Sequence, residues 1–259
     1  MEENMSLERE EFPLSNKYDP EWVFENQMGP NALWLTEWLC TEMELRPGMR
    51  VLDLGCGKAL SSVFLAKEYG VQVWATDIWI EADDNLARIS DVGLEDTIFP
   101  IHADARSMPF ARGFFDAIVC VDAYIYFGTD DLYLKYLCPF VKPGGQIGVV
   151  VPGFVRELDG PLPEHLRPFW GQDCWTWHDA DWWRNHWRRT DLLDVEVADT
   201  MPNGHDVWRE WYQARLDAGH GGPNTASDIK VVSEDRGRYM GIVRIVGRRK
   251  PQPSAPANA

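Results

Sequence analysis

Apolar and polar positions along this chain follow two rhythms. Short, nearly continuous apolar runs recur at 50–54, 71–76, 97–102, 114–121 and 146–151. Runs of this length between turn residues predict strands, and the fourth and fifth read as covered on both faces. Between them, 60–69, 81–91 and 130–140 carry apolar residues at helical spacing, and Gly70 supplies a stop signal for the first. Pro143-Gly144-Gly145 predicts a turn before the fifth strand. Strands alternating with helices predict βαβ units, a parallel sheet and the α/β fold class.

The flanks read differently. Residues 21–44 predict helical segments broken at Gly29-Pro30, with Ala32, Leu35, Trp38 and Leu39 on one face. The first 20 or so residues are charged and turn-rich and predict an arm or loose cap. After Pro152, residues 152–178 are rich in Pro, Gly and aromatics and read as an insertion. Helices at 179–190 and 206–218 and strands at 195–200 and 239–248 follow. The tail, 251–259, has too little apolar mass to fold. The expected division is an N-terminal arm and cap helices over 1–47, a catalytic domain over 48–250 with an aromatic insertion at about 152–190, and that tail.

Composition narrows the function. The 259 residues hold 25 Lys+Arg against 41 Asp+Glu, a formal net charge of −16, and 45% are hydrophobic. That apolar fraction excludes a disordered chain. The acidic balance repels phosphate backbones, so no nucleic-acid partner is expected. Cys40, Cys56, Cys120, Cys138 and Cys174 lack C-x-x-C spacing and predict buried thiols, with no required metal. The acidic start MEENMSLEREEF lacks a signal-peptide pattern, and no apolar run approaches the roughly 18 residues that span a bilayer. The expectation is a soluble cytoplasmic protein without stable membrane association; a homodimer is left open.

The first strand and its turn carry the main chemical signal: Val51-Leu52-Asp53-Leu54-Gly55-Cys56-Gly57-Lys58-Ala59. Glycines there let a nucleotide-type cofactor approach the backbone. Leu60 stands where the dinucleotide pattern G-x-G-x-x-G needs its last Gly, which argues against a pyrophosphate cradle. A carboxylate at Asp53 would repel a pyrophosphate and attract an ammonium group. Asp77 closes the second strand, placed to accept from ribose hydroxyls. Asp104 follows the third strand, where an acid can accept from an adenine amino group while the Ala105 N–H reaches a ring nitrogen. Asp122 lies near the end of the fourth. A lone Asp is more often a helix cap or solvated turn; three at successive strand ends after a glycine turn reverse that balance.

Together VLDLGCG, Asp77, the HADA segment, FDAIVCVDA and VKPGGQIGVV resemble class I S-adenosylmethionine-dependent methyltransferases, most of all the small-molecule methyltransferases, including the group related to cyclopropane fatty acid synthases. The resemblance covers roughly 48–152 well and extends more weakly to the final strand. It implies a Rossmann-like seven-stranded sheet, mostly parallel with an antiparallel last strand, helices on both faces, and S-adenosylmethionine as cofactor. It implies Gly55 and Gly57 under the amino-acid part with Asp53 nearby, Asp77 on the ribose, and Asp104 with Ala105 at the adenine. Ile78 would pack on the adenine face, Asp122 and Ala123 would lie near the sulfonium, and Met28-Gly29 would close over the methionine part. Many family members carry Gly where Ala59 stands, so an altered turn geometry is expected.

The implied reaction is methyl transfer to a small-molecule acceptor by in-line displacement. Tyr124 and Tyr126, after the fourth strand, are candidates to meet the acceptor, with helix–sheet packing as the alternative. Six of the thirteen Trp fall within 170–187. Trp175 and Trp177 are candidate lid residues forming an apolar wall or a cation–π surface, while Trp183 and Trp187 share a helical face and read as core. His178 is the first candidate for a base and Tyr124 the second; the alternative for His178 is a place at a helix N-terminus capped by Asp179. The competing functions are a fatty-acyl cyclopropane-type synthase and a non-catalytic S-adenosylmethionine-binding module. A nicotinamide dehydrogenase is disfavoured by Leu60 and Asp53.

Overall fold

The apolar runs pair edge to edge. A computed structural model describes residues 7–251, with strands β1 (Arg50–Leu54), β2 (Gln72–Asp77), β3 (Ile98–His102), β4 (Phe115–Val121), β5 (Val141–Phe154), β6 (Leu193–Thr200) and β7 (Met240–Arg249). They form a seven-stranded sheet in the order β3-β2-β1-β4-β5-β7-β6. The first five run parallel, and β7 lies antiparallel between β5 and β6. This is the Rossmann-like α/β sheet that the resemblance implied. Helices α1 (Pro20–Asn26), α2 (Ala32–Cys40), α3 (Leu60–Tyr69), α4 (Ala82–Asp91), α5 (Tyr133–Leu137), α6 (Ala180–Arg188), α7 (Gly204–Asp217) and α8 (Thr225–Asp235) connect and cover it.

Three local expectations are corrected. Strand β5 begins at Val141, so Pro143-Gly144-Gly145 lies inside it. The register against β4 jumps from Phe115↔Val141 to Ala117↔Gln146, a bulge that absorbs the extra residues. The helix expected over 130–140 contracts to α5, followed by a 3-10 turn around Pro139, because proline has no N–H to continue the ladder. Helix α8 was not expected; its sequence, TASDIKVVSED, buries only Thr225, Val231, Val232 and Asp235.

The described part of the N-terminal arm is docked rather than loose. Phe12 is buried and stacks on Trp34 with ring centroids 5.7 Å apart. The buried Glu37 carboxylate accepts from Leu14 N (2.9 Å), Ser15 N (2.7 Å) and Ser15 Oγ (2.7 Å). A buried carboxylate satisfied by three donors anchors that segment. The expected disordered tail lies, beyond Pro251, outside the described residues.

The 179–190 helix forms as α6, capped by Asp179, whose side chain accepts from Trp182 N at 2.8 Å. Trp183 and Trp187 are fully buried on its inner face, as their i,i+4 spacing predicts. Truncating either to Ala would cost about 3–5 kcal/mol.

Candidate cofactor and acceptor site

After β1 the chain crosses to β2 on one side, while β4 lies on the other side of β1. Such a switch point opens a crevice beyond the carboxyl ends of the strands. Here it holds a cavity of about 300 Å³, at the small end of ligand pockets.

Its floor is the glycine turn. Gly55 (φ 75°) and Gly57 (φ 52°) take left-handed backbone. A Cβ on Gly55 would come within 2.3 Å of the Ala123 Cβ, and one on Gly57 within 2.8 Å of Met28 Sδ. Glycine thus lets two loops close onto the turn. Ala59 takes the same left-handed form (φ 65°, ψ 21°) ahead of α3. The turn therefore keeps a glycine-like shape instead of the altered one expected, at a cost of about 1–2 kcal/mol for an L-residue.

Asp53 stands behind this floor. It is fully buried and does not line the cavity. Its Oδ2 accepts from Ser61 Oγ and Ser62 Oγ, each at 2.6 Å, and its Oδ1 has no partner. Burial pushes its carboxyl up to about 6, against the lowering effect of the two serines. Ser61 does line the cavity, so the buried charge is one hydroxyl away from a ligand.

The three strand-end acids converge. Asp77 Oδ2 accepts from Gly57 N (2.9 Å), and its Oδ1 from Trp79 N (2.7 Å) and Ile80 N (3.1 Å). It ties the glycine turn to the loop after β2. Asp104 Oδ1 accepts from Arg106 N (2.7 Å). Asp122 follows β4 in left-handed backbone (φ 58°). Burial first, then the negative charge of Asp173, pushes the Asp122 carboxyl up to about 7. Its Oδ2 lies against Gly29, where a Cβ would come within 2.2 Å. The Gly29 carbonyl accepts from the Trp211 indole N–H at 2.8 Å, which fixes the Met28-Gly29 loop over the turn.

The cavity thus gathers Gly55, Gly57, Asp77, Asp104 and Asp122. Met28, Gly29, Ile78, Ala105 and Tyr126 line it too. It does not gather the other candidates. Tyr124 is fully buried among Phe127, Tyr133, Trp183 and Trp187, so the packing alternative describes it. Trp177 is buried against Phe154, Phe169 and Trp208. Trp175 is 67% exposed and does not line the cavity. His178 stacks on Trp182 with centroids 3.6 Å apart, and its Nδ1 lies 3.2 Å from Glu157 Oε1. Burial lowers its pKa against the opposing pull of Glu157. It is not among the cavity's lining residues, and its neighbour Asp179 caps α6.

Sequence reasoning missed Ser61, Trp79 and Arg106. Trp79 is 64% exposed at the rim, edge-on to Tyr126 at 5.3 Å. Its place two residues after Asp77 was the available signal. Ser61 reveals itself only through its bond to Asp53.

Residues 51–145 match the family model described as a methyltransferase domain. This domain belongs to the class I S-adenosylmethionine-dependent methyltransferases. The chain is 28% identical over 128 residues, 48% of its length, to a methyltransferase, GfsG, of Streptomyces halstedii. The matched stretch spans 46% of that relative, and less than half of the other curated relatives of similar rank. Among solved structures, phosphoethanolamine N-methyltransferase 2 of Haemonchus contortus with S-adenosylmethionine superposes at TM-score 0.70 and 18% identity, over 95% of this chain and 59% of that one. The 4+2 cyclase SpnF superposes at 0.65 and 16%, over 88% and 84%. These likenesses show the fold.

The residues present fit the family's cofactor. The Ser61 hydroxyl, which donates to the buried Asp53, lines the cavity with an oxygen that can accept from an ammonium group. The glycine floor leaves room that Cβ atoms would fill. Asp77 and Asp104 face the same space with oxygens able to accept from hydroxyl and amino groups.

Proposed function

We propose that this chain moves the methyl group of S-adenosylmethionine to a small-molecule acceptor by in-line displacement. When bound, that cofactor supplies an electrophilic methyl carbon on a sulfonium. The chain's own task is then to hold, orient and keep dry. In this reading the Gly55–Gly57 turn, with Asp53 acting through Ser61, receives the amino-acid end. Asp77 holds the ribose, Asp104 and Ala105 meet the adenine, and Ile78 packs on its face. The Met28-Gly29 loop covers the methionine part. The acceptor enters past Trp79 and Tyr126. No base is assigned to His178 or Tyr124, because neither lines the cavity.

One observation carries this reading: acids from the ends of β2, β3 and β4 converge on one cavity floored by a glycine turn. We also place the protein in the cytoplasm, supported by five cysteines that are all free and buried. Among the described residues no helix is long and apolar enough to cross a membrane.

Calorimetry with S-adenosylmethionine, S-adenosylhomocysteine and NAD tests the cofactor half; preferential NAD binding overturns it. Incubation with methyl-labelled S-adenosylmethionine and a metabolite extract tests the transfer half. Label should move to one acceptor class as S-adenosylhomocysteine accumulates. Tight cofactor binding with no transfer to any acceptor would leave a binding module instead.

A further inference from the structure

The cavity wall leaves one carboxylate without a partner. Two basic side chains line the cavity, and both are engaged elsewhere. Lys58 Nζ donates to the Glu25 carbonyl at 2.9 Å. One Arg106 nitrogen donates to the Tyr126 carbonyl at 2.7 Å, and another lies 3.9 Å from Asp104 Oδ1. Asp77 and Asp104 accept backbone N–H groups. The Asp122 side chain has neither a hydrogen bond nor an ion pair among the described residues, although Asp122 lines the cavity and its Oδ2 lies against Gly29, which lines it too. Beside it, Trp79, Tyr126 and Phe127 supply aromatic walls.

The far side adds more negative charge. The 3-10 turn Gln172–Thr176 packs over the turn Tyr124–Tyr126. Its Asp173 acts on both Asp122 and Tyr126, whose hydroxyl is pushed up to about 12 by burial first and then by these two acids. An anionic acceptor would therefore meet carboxylates with no free cation to offset them. An ammonium would relieve a half-buried, uncompensated charge.

We propose that Asp122 is the docking counter-ion for the acceptor, and that the acceptor is an organic amine on an apolar or aromatic body. This rests on the methyl-transfer reading and narrows it to a substrate class. The competing partner for Asp122 is the cofactor's own sulfonium, and the test separates the two.

The probes are three near-isosteres: 2-phenylethylamine, 2-phenylethanol and 3-phenylpropionate. Each is titrated calorimetrically into full-length protein saturated with S-adenosylhomocysteine, which carries no sulfonium. The amine should bind at least tenfold tighter than the alcohol, and the carboxylate weakest. Asp122→Asn should lose the amine preference tenfold or more while keeping its affinity for S-adenosylhomocysteine. Equal or tighter binding of the carboxylate, or no binding of any probe, overturns the proposal without any variant. It also falls if Asp122→Asn spares amine binding and instead erases a preference for S-adenosylmethionine over S-adenosylhomocysteine. Failure of the wild-type protein to bind S-adenosylhomocysteine at all overturns the methyl-transfer reading itself, and this inference with it.

Discussion

Asp53→Asn isolates the energetics of a buried acid. The substitution keeps the shape of the side chain and an oxygen for Ser61 and Ser62, and removes the charge. In the folded protein the carboxyl is raised from the ordinary 3.8 to about 6. Because the folded value lies above the unfolded one, the protonated acid is the form that folding favours. Its stabilising contribution is complete below about pH 4, is lost as pH rises through 6, and is absent above. Two units at about 1.4 kcal/mol each make the full swing about 3 kcal/mol. The protein's pI of about 4.7 limits solubility at the acid end. Between about pH 5.2 and pH 8 roughly 1 kcal/mol of that swing falls in reach. The asparagine has no such titration. Its amide, placed where Oδ1 now lacks a partner, carries a roughly constant penalty of about 1–3 kcal/mol. Urea denaturation of both proteins at the two pH values, followed by tryptophan fluorescence, should show the wild-type advantage larger by about 1 kcal/mol at the lower pH. The raised Asp122 carboxyl contributes equally to both proteins and cancels. A gap that does not change with pH would mean that Asp53 is solvated, and the account of a charge held behind the glycine turn would be wrong.

Three further outcomes follow from the geometry. Gly29→Ala puts a Cβ within 2.2 Å of Asp122 Oδ2, so the carboxylate must swing away; stability should fall by about 1–3 kcal/mol, and ligand affinity should drop about tenfold or more by calorimetry, unchanged affinity counting against the placement of this loop. Tyr124→Phe removes a buried hydroxyl that has no hydrogen-bond partner; thermal denaturation should show a change of about 1 kcal/mol or less, with turnover retained, whereas a hundredfold loss of turnover at normal cofactor affinity would make Tyr124 catalytic after all. Trp211→Phe deletes the donor to the Gly29 carbonyl and trims a ring stacked on Phe24 at 5.4 Å; it should cost about 1–3 kcal/mol in urea and weaken cofactor binding, and undiminished binding would show that the loop needs no such anchor.

The gathering of the strand-end acids at one cavity was legible because strand geometry does most of the placing. A parallel sheet brings its carboxyl ends into line, so Asp77, Asp104 and Asp122 could be put at one edge from run lengths alone. The same logic failed for groups that depend on distant chain. Trp177 is core because Trp208, from α7, packs on it at 5.6 Å; nothing near Trp177 in sequence signals that neighbour. Ser61 and Ser62 looked like ordinary helix residues until Asp53 was seen beneath them. The start of β5 was misjudged because a Pro-Gly-Gly run reads as a turn, whereas a bulge against β4 accommodates it within a strand. Helix α8 has only two fully buried valines to mark a face.

That contrast bears on where acceptor choice is made. The tryptophan-rich segment was expected to act as a lid, yet three of its rings are spent on support and Trp175 stands exposed without lining the cavity. Trp183, Trp187 and Trp177 are buried, and Tyr124 packs directly on the first two. Glu157 accepts from Asp179 N at 2.8 Å and lies beside His178. His186 Nε2 lies 3.1 Å from the Gly128 carbonyl. These contacts brace the loop after β4 from behind, so that Asp122 and Tyr126 face the cavity from a rigid base while Tyr124 is locked into the core. Rigid support is what a recognition group needs if its geometry is to discriminate between acceptors. Opposite it stands the Met28-Gly29 loop, in which Met28 is 47% exposed and Gly29 is held by the Trp211 indole. On the proposed methyl-transfer reading, acceptor choice would be set across the gap between the braced loop after β4 and this loop. The aromatic insertion acts on it only indirectly, through the position of Tyr124 and the charge of Asp173.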